Sequence, residues 1–238
     1  MKFITELNIP PHFFDSASAE NAFESVSERI AKMFLKDILN IDNIRRGNDK
    51  IKEPDYIGEE CGTEKGFEVT FAVNNSLIPQ LKGRKALDKE KHNIEDMLIS
   101  DISDALDRKS KKEYVCETNL VVLTVSSLIG WYYFLFDNID AFPGKLANRM
   151  LTKRRNVFFE EIYTNYIKTG HFKNVYIVHP TLDSRFILFD IRSFAERLDF
   201  AACIETDIPE RFPTYKVTNV EKTDGPICSE ITIINYQE

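Results

Sequence analysis

Apolar residues recur at helical spacing at Phe23, Val26, Ile30, Phe34 and Ile41. This predicts an amphipathic helix over about residues 19–40, capped by Ser16 or Ser18. The period then changes to two. Phe67, Val69 and Phe71 fall on one side of a strand, and Glu68, Thr70 and Ala72 on the other. Residues 53–57 read as its hairpin partner, with Cys61-Gly62 as the turn, since Gly62 suits a position of positive φ. The stretch 42–52 is polar and turn-like, and 74–87 reads as a loop or short helix. A second helix is expected over about 89–109, with Ile94, Met97, Leu98, Ile102, Ala105 and Leu106 as its apolar stripe. Lys91 lies on that side one turn earlier. Arg108, Lys109, Lys111 and Lys112 form a basic end that suits a helix C-terminus. The nearly continuous apolar run from Asn119 to Val125 predicts a buried central strand.

The second half of the chain is less regular. The aromatic run Trp131 to Phe136 reads as core or helix-start packing. A helix over about 157–168 follows, then strands at 174–179 and 185–191 joined by a turn at 180–184. Pro209, Pro213, Gly225 and Pro226 predict an irregular tail with one strand near 230–234.

The hairpin carries the candidate chemistry. A turn centred on Cys61-Gly62 sets residue 55 opposite residue 68, so Asp55 faces Glu68 across the ladder. Like charges directly opposite destabilise a hairpin. A divalent cation between them reverses the sign of that interaction. Mg²⁺ takes oxygen ligands of this kind and dehydrates reluctantly. Glu20 and Glu24, at the edge of the first helix's apolar stripe, are candidates for a further carboxylate.

Composition narrows the classes. The 238 residues are 43% hydrophobic with 18 Phe, enough for a sizeable core. A net charge of −7 argues against a general nucleic-acid coat protein and leaves room for an enzyme with a local basic groove. The four Cys (61, 116, 203, 228) form no Cys-x-x-Cys pair, and the four His (12, 92, 171, 179) show no zinc spacing. With no signal-peptide pattern at the N-terminus, this predicts a reducing, cytoplasmic setting. The apolar stretch Leu120 to Phe136 is broken by Thr124, Ser126, Ser127 and Gly130, too short and polar for a membrane span. No nucleophile elbow, phosphate-cradling Gly loop or dinucleotide fingerprint is present.

The order helix, hairpin bearing Pro54-Asp55 and Glu68-Val69-Thr70, helix, apolar strand resembles the PD-(D/E)XK nuclease superfamily over about residues 19–126. The resemblance implies an α/β (α+β) fold, a central mixed β-sheet flanked by helices, restriction-endonuclease-like with a C-terminal elaboration. It divides the chain into an N-terminal arm (1–18), a nuclease-like core (19–195) and an extension packed on it (196–238). It implies Mg²⁺ or Mn²⁺ held by Asp55, Glu68 and the Val69 carbonyl, with Glu20 or Glu24 completing the site. The family's Lys, two residues after the Glu, is Thr70 here. Lys91, with Lys82 and Lys85 behind it, is the candidate for a migrated Lys. The implied partner is DNA, contacted by Arg45, Arg46, Lys82, Arg84 and Lys85 and by the cluster Lys153-Arg154-Arg155, with a homodimer left open. The family core has three strands before the second helix, and residues 42–52 look short for the extra one. The implied function is metal-dependent phosphodiester hydrolysis in restriction, defence or DNA processing. The alternatives are an inactive nuclease-like binding or regulatory module, and an unrelated α/β binding domain.

Overall fold

The computed structural model describes residues 2–9, 31–72, 91–124, 155–180, 185–198, 201–205, 214–221 and 228–235. In chain order the strands are Lys2–Ile9 (β1), Asp42–Arg46 (β2), Tyr56–Glu60 (β3), Thr63–Ala72 (β4), Lys91–Asn93 (β5), Thr118–Thr124 (β6), Val175–Pro180 (β7), Arg185–Asp190 (β8), Ala201–Glu205 (β9), Thr214–Glu221 (β10) and Cys228–Asn235 (β11). Four helical segments accompany them. The first covers 31–38 and ends in a π-type turn, Phe34–Ile38 (α1). The others are Ile94–Ser110 (α2), 155–167 with a closing π-type turn Tyr163–Ile167 (α3), and Ile191–Ala195 (α4).

A seven-stranded mixed sheet runs in the order β2-β3-β4-β6-β7-β8-β9. β4, β6 and β7 are mutually parallel and the remaining neighbours antiparallel. A four-stranded sheet, β10-β1-β11-β5, joins the two ends of the chain. Among the described residues no helix is long and apolar enough to cross a membrane.

The centre of the large sheet is apolar on both faces, as parallel strands require. Leu120 and Val122 of β6 pack with Leu98, Ile102, Ala105 and Leu106 of α2 and with Phe159 and Ile162 of α3. Val121 and Leu123 pack on the opposite face with Phe34 and Leu35 of α1 and with Tyr56 and Phe67. Each such fully buried side chain contributes roughly 2 kcal/mol by removal from water.

The expected register is present. Tyr56 pairs with Phe67 and Glu60 with Thr63, so Cys61-Gly62 forms a two-residue turn with both residues at positive φ (50° and 77°). That is the turn whose twist matches a hairpin. Strand β6 and the helix 155–167 also lie close to where periodicity set them.

Three expectations are corrected. Residues 42–52 are not simply turn-like, because Asp42–Arg46 is the edge strand β2. Its residues are mostly exposed, so no alternation marks it in the sequence. The second helix begins at Ile94, and Lys91 belongs instead to β5, paired with Glu230 of β11. The tail holds two eight-residue strands, not one. Pro209, Pro213, Gly225 and Pro226 lie outside the described residues. The first helix before residue 31 and the stretches 74–87 and 131–136 lie outside the described residues.

Candidate functional site

Continued one and two residues past Tyr56–Phe67, the hairpin register sets Asp55 opposite Glu68 and Pro54 opposite Val69. Proline has no N–H to give to a ladder. Pro54 therefore offers the Val69 carbonyl no donor, while the Val69 amide itself donates to the Asp55 side chain, at Oδ2, over 2.8 Å. The Asp55 amide donates in turn to Glu68 Oε2 at 3.1 Å. Behind Asp55, Gly47 donates its N–H to the Asp55 carbonyl at 3.0 Å. A Cβ at Gly47 would stand 1.7 Å from the Pro54 carbonyl oxygen, so this approach requires glycine. Backbone and side-chain bonds thus hold the two acids in one place.

Glu68 is 1% exposed. A buried carboxylate needs compensation, and the C-terminal end of α2 supplies it. Lys109 makes an ion pair with Glu68 Oε1 and lies 3.7 Å from Asp55 Oδ2, so one ammonium serves both acids. Lys112 reaches Glu68 Oε1 at 2.8 Å. Arg108 Nη2 donates to the Phe71 carbonyl at 3.3 Å and to Thr70 Oγ1 at 3.5 Å. The like-charge repulsion expected between Asp55 and Glu68 is therefore offset by ammoniums rather than left bare.

The two carboxyls differ electrostatically. Burial pushes Asp55 above the usual carboxylate range, with Lys109 opposing that and the Glu68 charge adding to it. Burial would also raise Glu68, but Lys109 and Lys112 outweigh it and hold its carboxyl below the usual range. Burial opposes the charge on Lys112, yet its hydrogen bond to Glu68 leaves its pKa raised. Burial and then the two acids push the Tyr114 hydroxyl upward, so it stays a neutral donor.

The donor chemistry fits a hard cation. Asp55 Oδ1 takes no hydrogen bond among the described residues. Mg²⁺ ordinarily takes one or two carboxylates and completes its shell with water and substrate phosphate. Extended backbone turns the C=O of a residue to the same edge as its N–H. The Val69 carbonyl thus shares the edge occupied by Asp55, opposite a proline with no N–H to offer it. No group of three or more His, Cys, Asp or Glu placed for a metal occurs among the described residues.

The remaining expected site residues separate. Thr70 is buried and meets Arg108 rather than either acid. Lys91 stands in β5, not on the helix stripe that made it a candidate. Arg45 is engaged by both carboxylate oxygens of Glu53 at 3.1 and 3.2 Å, and Arg46 is an exposed residue of the edge strand. Arg155 binds the neighbouring Asn156 side chain. Glu20, Glu24, Lys82, Arg84, Lys85, Lys153 and Arg154 lie outside the described residues.

Lys109 and Lys112 are the site residues that the sequence reading missed. A signal was present: Lys109 continues the stripe Leu98, Ile102, Ala105 at helical spacing, so it points at the sheet. The short connection from Ser110 to β6 also requires α2 to end above the start of β6, beside Gly66 to Glu68.

In comparisons with protein families, curated proteins and solved structures, the chain matches none of them.

Proposed function

We propose that this protein is a metal-dependent nuclease of the PD-(D/E)XK type, hydrolysing phosphodiester bonds in DNA. The observation that carries the reading is the shared position of Lys109, in contact with both Asp55 and Glu68 at the end of paired strands. The family pattern asks for two acids and a lysine together, and here the lysine comes from helix α2 instead of position 70. The element order supports the same reading. Leaving out the short strand β5, which belongs to the four-stranded sheet, the order is a helix, three strands (β2, β3, β4), a helix and a parallel strand (β6), including the strand that residues 42–52 had looked too short to hold.

Asp55, Glu68 and the Val69 carbonyl would hold Mg²⁺ or Mn²⁺. Such a cation lowers the pKa of bound water and neutralises charge on the scissile phosphate. Lys109 stands where it stabilises the extra negative charge of the transition state. Lys112, half exposed, is free to swing from Glu68 to a phosphate oxygen when the acids gain another counter-charge. Asp55 must be ionised to take the cation, and its raised pKa places the acid limb of activity above the ordinary aspartate value.

The test is nicking of supercoiled plasmid. Cleavage with Mg²⁺ or Mn²⁺ and none with chelator is expected. DNA retention without cleavage would instead identify a nuclease-like binding module, a reading favoured by the neutralisation of Glu68 in the metal-free site. Neither binding nor cleavage would leave Asp55 and Glu68 as a structural ion-pair cluster.

A further inference from the structure

A groove of about 510 Å³ opens beside the carboxylate site and shares Lys112 and Tyr114 with it. Its far wall comes from the turn after α3 and from the start of α4, bringing in His171, Lys173 and Arg192. No sequence motif marked the groove, because its lining comes from three separate segments. We infer that this groove holds the phosphodiester backbone of the substrate strand on one side of the scissile bond. The inference rests on the nuclease reading for what it places next to the groove, but the binding it predicts can be measured separately.

Charge supports it first. The groove presents Lys112, Lys173 and Arg192 against Glu113 and Glu117, net positive in a chain of net charge −7. Glu113 is engaged from outside the groove by Lys52 at 2.8 Å, and Glu117 and Lys173 pair with each other at 3.2 Å. Arg192 Nη1 lies 3.9 Å from Glu196, so a phosphate competes with exposed acids for the groove's cations. Arg192 is preset by donating its Nε to the Lys173 carbonyl at 3.0 Å. That bond fixes the guanidinium at the groove wall, so less rotamer freedom is lost on binding a phosphate. Size supports it next. This volume lies within the range of small-ligand clefts, room for one or two nucleotides rather than a duplex. Continuity is the third support. Lys112 is both a groove residue and a partner of Glu68, so a strand lying in the groove leads its phosphates to the paired acids.

The experiment is fluorescence anisotropy of labelled single-stranded DNA and RNA 12-mers in chelator, where no cleavage occurs, with a salt series. Lys173→Glu with Arg192→Glu should weaken binding at least about tenfold and flatten the salt dependence by about 1.4 units of slope, as loss of two single-strand phosphate contacts requires. Lys36→Glu, one charge reversal at an exposed residue of α1, sets the non-specific effect of each reversal. Lys173→Ala, which gives up an ion pair with the exposed Glu117, repeats the test should the double variant fold poorly, and melting curves accompany each. An affinity for both oligonucleotides that falls no further than in Lys36→Glu overturns the groove, as does a wild type that binds neither. A wild type that binds through the groove but never cleaves overturns the nuclease reading alone. A wild type that cleaves while the groove variants bind normally overturns this inference alone.

Discussion

Two acids stand at strand ends in this molecule and do different work. Asp190 ends β8 and caps α4. Its Oδ1 takes the Ser193 amide and the Asn174 side-chain amide, each at 2.9 Å. No cation is among these partners, and the arrangement is complete as a helix cap. Asp55 precedes β3; among the described residues it accepts one amide and no hydrogen bond at Oδ1, it shares an ammonium with a second acid, and its pKa is raised by burial. The difference separates an acid placed to satisfy backbone from one placed to meet something else. Raised pKa values arising from burial and a neighbouring charge gather at functional sites, and Asp55 has both causes.

The largest effects should fall on one side of that comparison. Asp55→Ala or Glu68→Ala is expected to lower Mg²⁺-dependent cleavage by about 1000-fold or more, whereas Asp190→Asn should leave the cleavage rate within about twofold and stability nearly unchanged, since Asn keeps the accepting Oδ1 and caps a helix about as well as Asp. Chemical denaturation and plasmid cleavage on the same preparations read both. Cleavage lost in Asp190→Asn as in Asp55→Ala would erase the distinction.

Lys109→Ala comes next, with an expected loss of about 100-fold in cleavage rate. Stability should fall too, because Glu68 keeps only the half-exposed Lys112. The double change Asp55→Asn with Glu68→Gln should also destabilise the metal-free protein, by about 1–3 kcal/mol, since it strands two ammoniums. A double variant more stable than wild type would show that repulsion between the acids dominates.

pH sharpens the comparison by sign. Glu68 sits below its unfolded value, so its contribution is present above about pH 4.3 and is lost as pH falls through the lower folded value. Asp55 is shifted upward. Its contribution is complete below about pH 3.9 and is lost as pH rises through its folded value. Asp55→Asn should therefore gain stability relative to wild type between pH 4 and pH 7, measured as a difference in melting temperature. A constant difference would contradict the raised pKa.

The smallest effect lies away from the acids. Cys61 occupies a left-handed turn position at φ 50°. Cys61→Asn should stabilise the hairpin by about 1 kcal/mol, since Asn tolerates that conformation better, with cleavage unchanged.

The hairpin was legible because two local signals agreed. Alternation fixed the faces of β4, and Cys61-Gly62 fixed the register, so the pairing of residues 55 and 68 followed. What the alternation did not show was that the Glu68 face is also covered. Glu68, Thr70 and Ala72 are as buried as Phe67, and that burial turns the end of α2 from a solvated basic terminus into a partner of the acids. Helical spacing put Lys109 on the sheet side of α2, but which groups it and Lys112 meet there followed only from the crossover from β4 to β6 that brings them over Glu68. The edge strand β2 was hidden because an exposed strand needs no apolar alternation. The tail strands were hidden because the prolines and glycine of that stretch were read as marking the whole of it irregular.

The central claim is that Asp55 and Glu68 form a cation site completed by a bound phosphodiester. Mn²⁺ titrated into the protein with a phosphorothioate oligonucleotide, followed by electron paramagnetic resonance, tests it directly. The account predicts one bound Mn²⁺ per chain in wild type and its loss in Asp55→Asn. Retention of that ion in Asp55→Asn, or no bound ion in wild type, would contradict it.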